Sequence, residues 1–213
     1  MRLFFLYAYK ICIFIKSKYF DLFNQANTGI KFYVYGIRVA GKSIVRGRVD
    51  ISMPRTASFS IGHGLRINSG RQHNPIGRED NMLFFVGPGA VLTIGDNVGM
   101  SSAAIVCRKE ISIGSNVLIG GGVCIYDTDF HSIDYVSRNN PAQDKLTTVM
   151  RPVSIGDNVF IGAHATILKG VSIGQGAVIG ACSVVTKSVP AHEIWAGNPA
   201  KFVRKINSRV EST

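Results

Sequence analysis

From Ile155 onward an aliphatic side chain returns at every sixth position: Ile155, Ile161, Ile167, Ile173, Ile179 and Val185. Ile113, Ile119 and Ile125 keep the same beat, and Ile94 and Met100 keep it one residue out of step. A spacing of six is not a multiple of the helical period of 3.6, but it is a multiple of the strand period of two. Every marked aliphatic therefore faces the same side of a strand. Four places after each stands a small or β-branched residue, Val98, Val117, Val123, Val159, Ala165, Val171 and Ala177, which is expected to face inward as well. Three places after each stands Asn97, Asn116, Gly122, Asn158, His164, Gly170 or Gly176. Gly, Asn and His tolerate positive φ, so a corner is expected there. Each hexad reads as a short strand plus a bend, and stacked coils cover one another's apolar faces.

Residues 36–84 follow the beat less cleanly. "VRGRVDISM" and "FSIGHGLRIN" read as degenerate first coils, and "SGRQHNPIGRED" (69–80), polar and rich in Gly and Pro, as a loop. "GNPAKFVRKI" predicts a short closing helix with Asn198 as N-cap, Pro199 at its first position and basic residues toward its end. The expected organisation is an N-terminal helical segment (1–35), a β-helix (36–198) broken by a loop (126–153), and a C-terminal helix and tail (199–213).

The loop carries the candidate chemistry. After Ile125 the inward beat stops, and "SIGDNV" resumes it at Ser154. A regular scaffold interrupted once at such length usually accommodates a site. In "YDTDFHSID", His131 is the loop side chain that exchanges a proton near neutral pH, and Asp127, Asp129 and Asp134 are candidates to orient it or to hold a hydroxyl. His164 and His63 read as corner residues and His192 as part of the closing turn. His73, in "QHNPIG", reads either as a loop-structural residue or as one reaching an acceptor pocket. No close pair of histidines points to a metal site, and none is expected.

Tandem hexads beginning [I/V/L]-G resemble the left-handed parallel β-helix family of hexapeptide-repeat acyltransferases, over about residues 85–206. The resemblance, and not the periodicity, supplies the left hand; generic crossover rules give the opposite one. It implies an all-β prism with three hexads per coil, assembled as a homotrimer. D-x-D-F-H, a long loop and then S-I-G-D-N-V-F-I-G are similar to the sugar O-acetyltransferases of polysaccharide assembly. Carried over, His131 would be the general base that lets an acceptor hydroxyl attack acetyl-CoA, the co-substrate.

The resemblance further implies that Phe160, Gly162, Ala163, Gly180 and Ala181 flank the donor's pantetheine arm, with Lys187 and Arg204 near its phosphates. Ser101 and Ser102, and less directly Asn68 and Arg138, would face a carbohydrate acceptor. The chain lacks the T-x-x-H-P loop of the maltose and galactoside acetyltransferases, so a free sugar is not the expected acceptor. Two other readings stay open: N-acetylation of an amino-sugar nucleotide, and a non-catalytic glycan-binding or assembly module.

Charge changes the picture at the ends only. Residues 1–55 hold ten Lys/Arg against two acidic residues, residues 200–213 four against one, and the middle balances at ten against ten. Basic ends on a neutral body suit a membrane surface or small anions better than a nucleic-acid groove. "MRLFFLYAYKICIFIKSKYF" is apolar and aromatic but broken by Lys10, Lys16 and Lys18, so residues 1–20 predict an interfacial or subunit-packing helix rather than a spanning one. No small-residue cleavage site makes it a secretory signal. Cys12, Cys107, Cys124 and Cys182 lack C-x-x-C spacing and read as reduced thiols in a cytoplasmic protein.

Overall fold

The computed structural model describes residues 2–74, 76 and 81–206. A helix, α1 (Arg2–Val34), leads into a left-handed parallel β-helix whose strands lie on three faces. The first face carries β1 (Arg38–Val39), β4 (Ser58–Ile61), β7 (Val91–Ile94), β10 (Glu110–Ile113), β13 (Val153–Ile155) and β16 (Ser172–Ile173). The second carries β2 (Ile44–Arg46), β5 (Arg66–Asn68), β8 (Gly99–Ser101), β11 (Leu118–Ile119), β14 (Phe160–Ile161) and β17 (Val178–Ile179), then β19 (Glu193–Gly197) and β20 (Ala200–Lys205). The third carries β3 (Val49–Ser52), β6 (Met82–Val86), β9 (Ala104–Cys107), β12 (Cys124–Tyr126), β15 (Thr166–Ile167) and β18 (Val184–Val185).

The hexad reading holds in detail. The marked aliphatics are at most 3% exposed and the residues four places on at most 1%. Asn97, Asn116, Asn158 and His164 have φ of 55°, 57°, 59° and 61°, and Gly122, Gly170 and Gly176 are also left-handed. Stacking sets a second constraint at the corners. A Cβ on Gly162 would stand 2.5 Å from the Ala181 nitrogen, so the next coil's backbone fills the space a side chain would need.

The slip in the beat has a local cause. Met100 pairs with Ile119 and Ile105 with Ile125, so five residues there match six on the next coil. The corner from Cys107 to Glu110 is correspondingly longer. The Asp127 carboxylate fills it, accepting the backbone N–H of Arg108, Lys109 and Glu110 at 2.7 Å each. Burial first, and then Asp127, push the neighbouring Cys107 thiol up to about 12, which keeps it protonated and unreactive.

The first coils use larger side chains at irregular spacing. The Phe59 and Phe84 rings meet at 5.1 Å beside buried Leu65, Ile67 and Met82. Helix α1 lies against these coils through Asn24, Thr28 and Phe32, all at most 5% exposed. The Gln25 amide donates to the Ser43 carbonyl and accepts from the Val45 N–H, and Lys31 Nζ donates to the Val49 carbonyl. These side chains satisfy backbone groups of the first coil that no further strand covers.

The C-terminal end corrects the sequence reading. No helix starts at Asn198. β19 and β20 pair antiparallel, with Gly197 opposite Ala200 and a cis Asn198–Pro199 bond in the two-residue turn. Asn198 therefore turns a hairpin and caps nothing. β19 continues the second sheet beyond β17, and the hairpin closes the prism.

Candidate active site

The loop leaves the prism at the corner between the third and first faces, after β12 and before β13. Its base is zipped: Thr128 bridges Met150, the Asp129 N–H donates to the Val149 carbonyl, and the Arg151 N–H to the Asp127 carbonyl. Two short helices fill it, where sequence reading expected irregular chain. In α2 (Tyr135–Arg138), Asp134 accepts the Val136 and Ser137 N–H groups as N-cap; in α3 (Pro141–Thr147), Asn140 does the same for Ala142 and Gln143. Phe130 sits at φ 64° with its ring 5.3 Å from that of Tyr126. A positive φ is costly for a non-glycine residue. Here it reverses the chain so that the next side chain, His131, stands 68% exposed.

His131 and Asp144 form a dyad. His131 Nδ1 lies 2.7 Å from Asp144 Oδ2, and the Ser132 N–H donates to Asp144 Oδ1 at 2.6 Å. The bond from His131 first, and then the Ser132 N–H, hold the Asp144 carboxyl below the usual carboxylate range. An ionised carboxylate only accepts, so Nδ1 carries the proton and Nε2 is the nitrogen left to take another. The 15% exposure of Asp144 keeps the contact partly sheltered. Sequence reading missed Asp144. The available signal was "NNPAQD", a capped helix start that sets an acid in its first turn.

Of the residues proposed around His131, three carboxylates are engaged elsewhere. Asp127 is fully buried in the corner described above. Asp129 pairs with Lys169 at 2.6 Å, and Asp134 caps α2. Arg138 Nη1 donates to the carbonyls of Ser132 and Ile133, so it braces the loop rather than reaching for an acceptor. Ser102 is buried and its Oγ accepts the Gly70 N–H.

Other expectations do meet in space. Ser101, Asn68 and Phe160 line one cleft of about 320 Å³ on the second face, with Arg66 and Leu118. That face is not the corner from which the His131 loop emerges. Gly162 and Gly180 have their smallness explained by coil stacking: a Cβ on Gly180 would stand 2.8 Å from Ala196 Cβ. Ala163 and Ala181 occupy the corners beside them. Lys187 is exposed, and Arg204 is exposed on β20, in a strand and not in a helix.

His164 Nε2 lies 2.8 Å from the Ile76 carbonyl at its corner, and His73 Nε2 lies 2.8 Å from Asp21 of α1. The latter is a close contact without hydrogen-bond alignment, and it favours the loop-structural reading of His73. Among the described residues no group of three His, Cys, Asp or Glu side chains could hold a metal ion.

A consequence for pH follows from Asp144 and Asp134, the latter lowered chiefly by its Ser137 bonds. Carboxyls depressed on folding stabilise the loop above their unfolded value of about 4, and that contribution is lost as pH falls through the lower folded values. Amide exchange across 128–150 should stay slow at about pH 6 and accelerate below about pH 4, relative to the coils. Separately, Asp144→Asn should lower kcat about tenfold or more, but less than loss of the imidazole, with KM little changed.

Among the described residues, a prism of hexad coils thus carries a His–Asp dyad on the long loop between β12 and β13. A family model described as "Hexapeptide repeat of succinyl-transferase" matches residues 152–187. WbbJ of Escherichia coli K12, named as a candidate lipopolysaccharide biosynthesis O-acetyl transferase, is 34% identical over 164 residues, 75% of each chain. YJL218W of Saccharomyces cerevisiae, a candidate acetyltransferase, is 38% identical over 131 residues, 61% of this chain and 64% of the yeast protein. The chain thus spans under two thirds of that relative's length. The hexapeptide-repeat acetyltransferase VCA0836 of Vibrio cholerae, solved with acetyl-CoA, superimposes with a TM-score of 0.51 at 26% identity, covering 85% of this chain and 76% of that one. The chain belongs to the hexapeptide-repeat acyltransferase family.

Proposed function

We propose that the protein is a cytoplasmic, acetyl-CoA-dependent O-acetyltransferase that modifies a carbohydrate hydroxyl during surface polysaccharide assembly. The His131–Asp144 dyad carries this reading. A hydroxyl is too weakly acidic to attack a thioester unaided. In this reading His131 Nε2 takes the acceptor's proton as its oxygen bonds to the thioester carbonyl carbon. Asp144 holds the imidazole in the required tautomer and balances the positive charge that forms. The tetrahedral intermediate then collapses, the C–S bond breaks, and the imidazolium returns the proton to the departing CoA thiolate. The likeness to WbbJ, whose name refers to lipopolysaccharide biosynthesis, supports a glycan acceptor over a free sugar.

The acting form in this proposal is a homotrimer. One chain carries the His131 loop on a corner and the Ser101–Asn68–Phe160 cleft on another face. Association brings one copy's loop to a neighbour's cleft, and Leu118 and Phe160, outward and paired in register, supply apolar contact area. The donor's arm would run past Phe160, Ala163 and Ala181 toward the basic end, where Lys187 and Arg204 meet its phosphates.

Calorimetric titration with acetyl-CoA tests the donor side. Wild type should bind, Lys187→Ala should bind about tenfold more weakly, and His131→Ala should bind as wild type does. Absence of binding at millimolar acetyl-CoA would overturn the proposal.

A further inference from the structure

Helix α1 is amphipathic the wrong way round for a helix packed on a water-soluble body. Over residues 17–28 the side it turns toward the coils is polar, with Asn24 and Thr28 buried there and Ser17 and Asp21 half-buried beside them; one turn further on, Phe32 is the apolar residue buried on that side. The opposite side is apolar. Phe4, Ile11, Ile15, Tyr19, Leu22 and Ile30 recur at helical spacing and are between 47% and 73% exposed. A surface helix normally buries its apolar stripe and shows its polar one to water. Here the stripe runs nearly the whole helix, about 40 Å at 1.5 Å per residue, including the part that rests on the first coils. Among the described residues no helix is long and apolar enough to cross a membrane.

We propose that this outward stripe lies on an anionic phospholipid bilayer, holding the enzyme at the membrane surface. The charges around it choose this occupant. At 3.6 residues per turn, Lys16 and Lys18 stand about a quarter-turn to either side of the Ile15–Tyr19 line. Lysines so placed extend their ammonium groups to lipid phosphates while their stems stay with the apolar stripe. Lys18 already reaches over the Phe14 ring at 5.5 Å. The aromatic content is that of a helix seated at headgroup depth, with Phe4 and Tyr19 on the stripe and Tyr9 exposed nearby. Residues 1–55 as a whole carry a net charge of +8, ten basic against two acidic.

A second copy of the chain is a poorer occupant. Two stripes packed together in parallel would set Lys16 and Lys18 of one against the same lysines of the other, a like-charge clash along both edges. The acid nearest to them on the helix, Asp21, is half-buried against the body, 2.8 Å from His73. The inference does not depend on the acetyltransferase reading. It does deepen it, because a helix of this kind would bring the His131 loop to acceptors held at the membrane.

Co-sedimentation of the full chain with vesicles tests it. The probes are phosphatidylcholine alone and an equal mixture of phosphatidylcholine and phosphatidylglycerol. Binding should be at least about tenfold stronger on the anionic vesicles and should weaken with added salt. It should be lost in the Ile15→Glu, Leu22→Glu double variant and reduced more than tenfold in Lys16→Ala, Lys18→Ala. All four side chains are exposed, so the variants should keep the wild-type circular dichroism and acetyl-CoA binding. Equal binding to both vesicle types, or none, would overturn the proposal. So would an assembly, measured by light scattering, that the glutamate variant dissociates while no vesicles are bound.

Discussion

His131→Ala should lower kcat by about 10²–10⁴-fold while leaving acetyl-CoA affinity and thermal stability near those of wild type. The magnitude is that of a positioned base acting on a hydroxyl. The separation of effects follows from position. The ring is 68% exposed and its Nδ1 bond is to Asp144, so truncation opens no cavity. It does release one oxygen of a carboxylate that still accepts the Ser132 N–H. Stopped-assay kinetics beside a melting curve check both halves. A kcat within a fewfold of wild type would remove His131 from the chemistry, and a large fall in Tm would make its role structural.

Asp127→Ala should be the most destabilising change in the loop region, by about 3–5 kcal/mol. The carboxylate is fully buried and binds three consecutive backbone N–H groups at 2.7 Å. Alanine leaves those donors without an acceptor in a site closed to water. Asp127→Asn keeps one acceptor oxygen and should cost less. In a chain of this size the alanine change corresponds to a fall in Tm of about 10 °C. Because the same corner launches the loop, kcat should fall with it, unlike the clean split expected for His131. Loss of activity without loss of stability would return Asp127 to the role of an orienting acid.

The contrast between these two residues shows what was legible in the chain. The coils could be read because stacking repeats one demand at fixed intervals: an inward aliphatic, a small inward neighbour, a corner that accepts positive φ. Asn158 and His164 occupy such corners for the same reason as Gly170, and spacing alone marks them. The early coils blurred because Phe59, Phe84 and Met82 fill the interior with larger groups at uneven steps. "GNPAKFVRKI" misled because Asn-Pro opens a helix or turns a hairpin equally well. The partner decides, and β19 was set by its pairing with β17.

In the loop, the histidine was marked by chemistry, but its carboxylate was not marked by proximity. Asp129, two residues from His131, is held by Lys169 from the next coil, whereas Asp144 is brought in by α3. The partners of Asp127 were hidden for the same reason. They lie on the preceding coil, on the corner whose length produces the one-residue slip. The sequence displays that slip without explaining it.

The central claim is transfer of acetyl to a carbohydrate hydroxyl by this dyad. The most direct measurement supplies acetyl-CoA with nascent surface glycan or with amino-sugar nucleotide, follows CoA thiol release, and treats each product with mild alkali. The account predicts thiol release with the glycan, an acetyl group that alkali removes as an ester, and almost none of either with His131→Ala. An alkali-stable acetyl group on the amino sugar, or equal turnover by the variant, would contradict it.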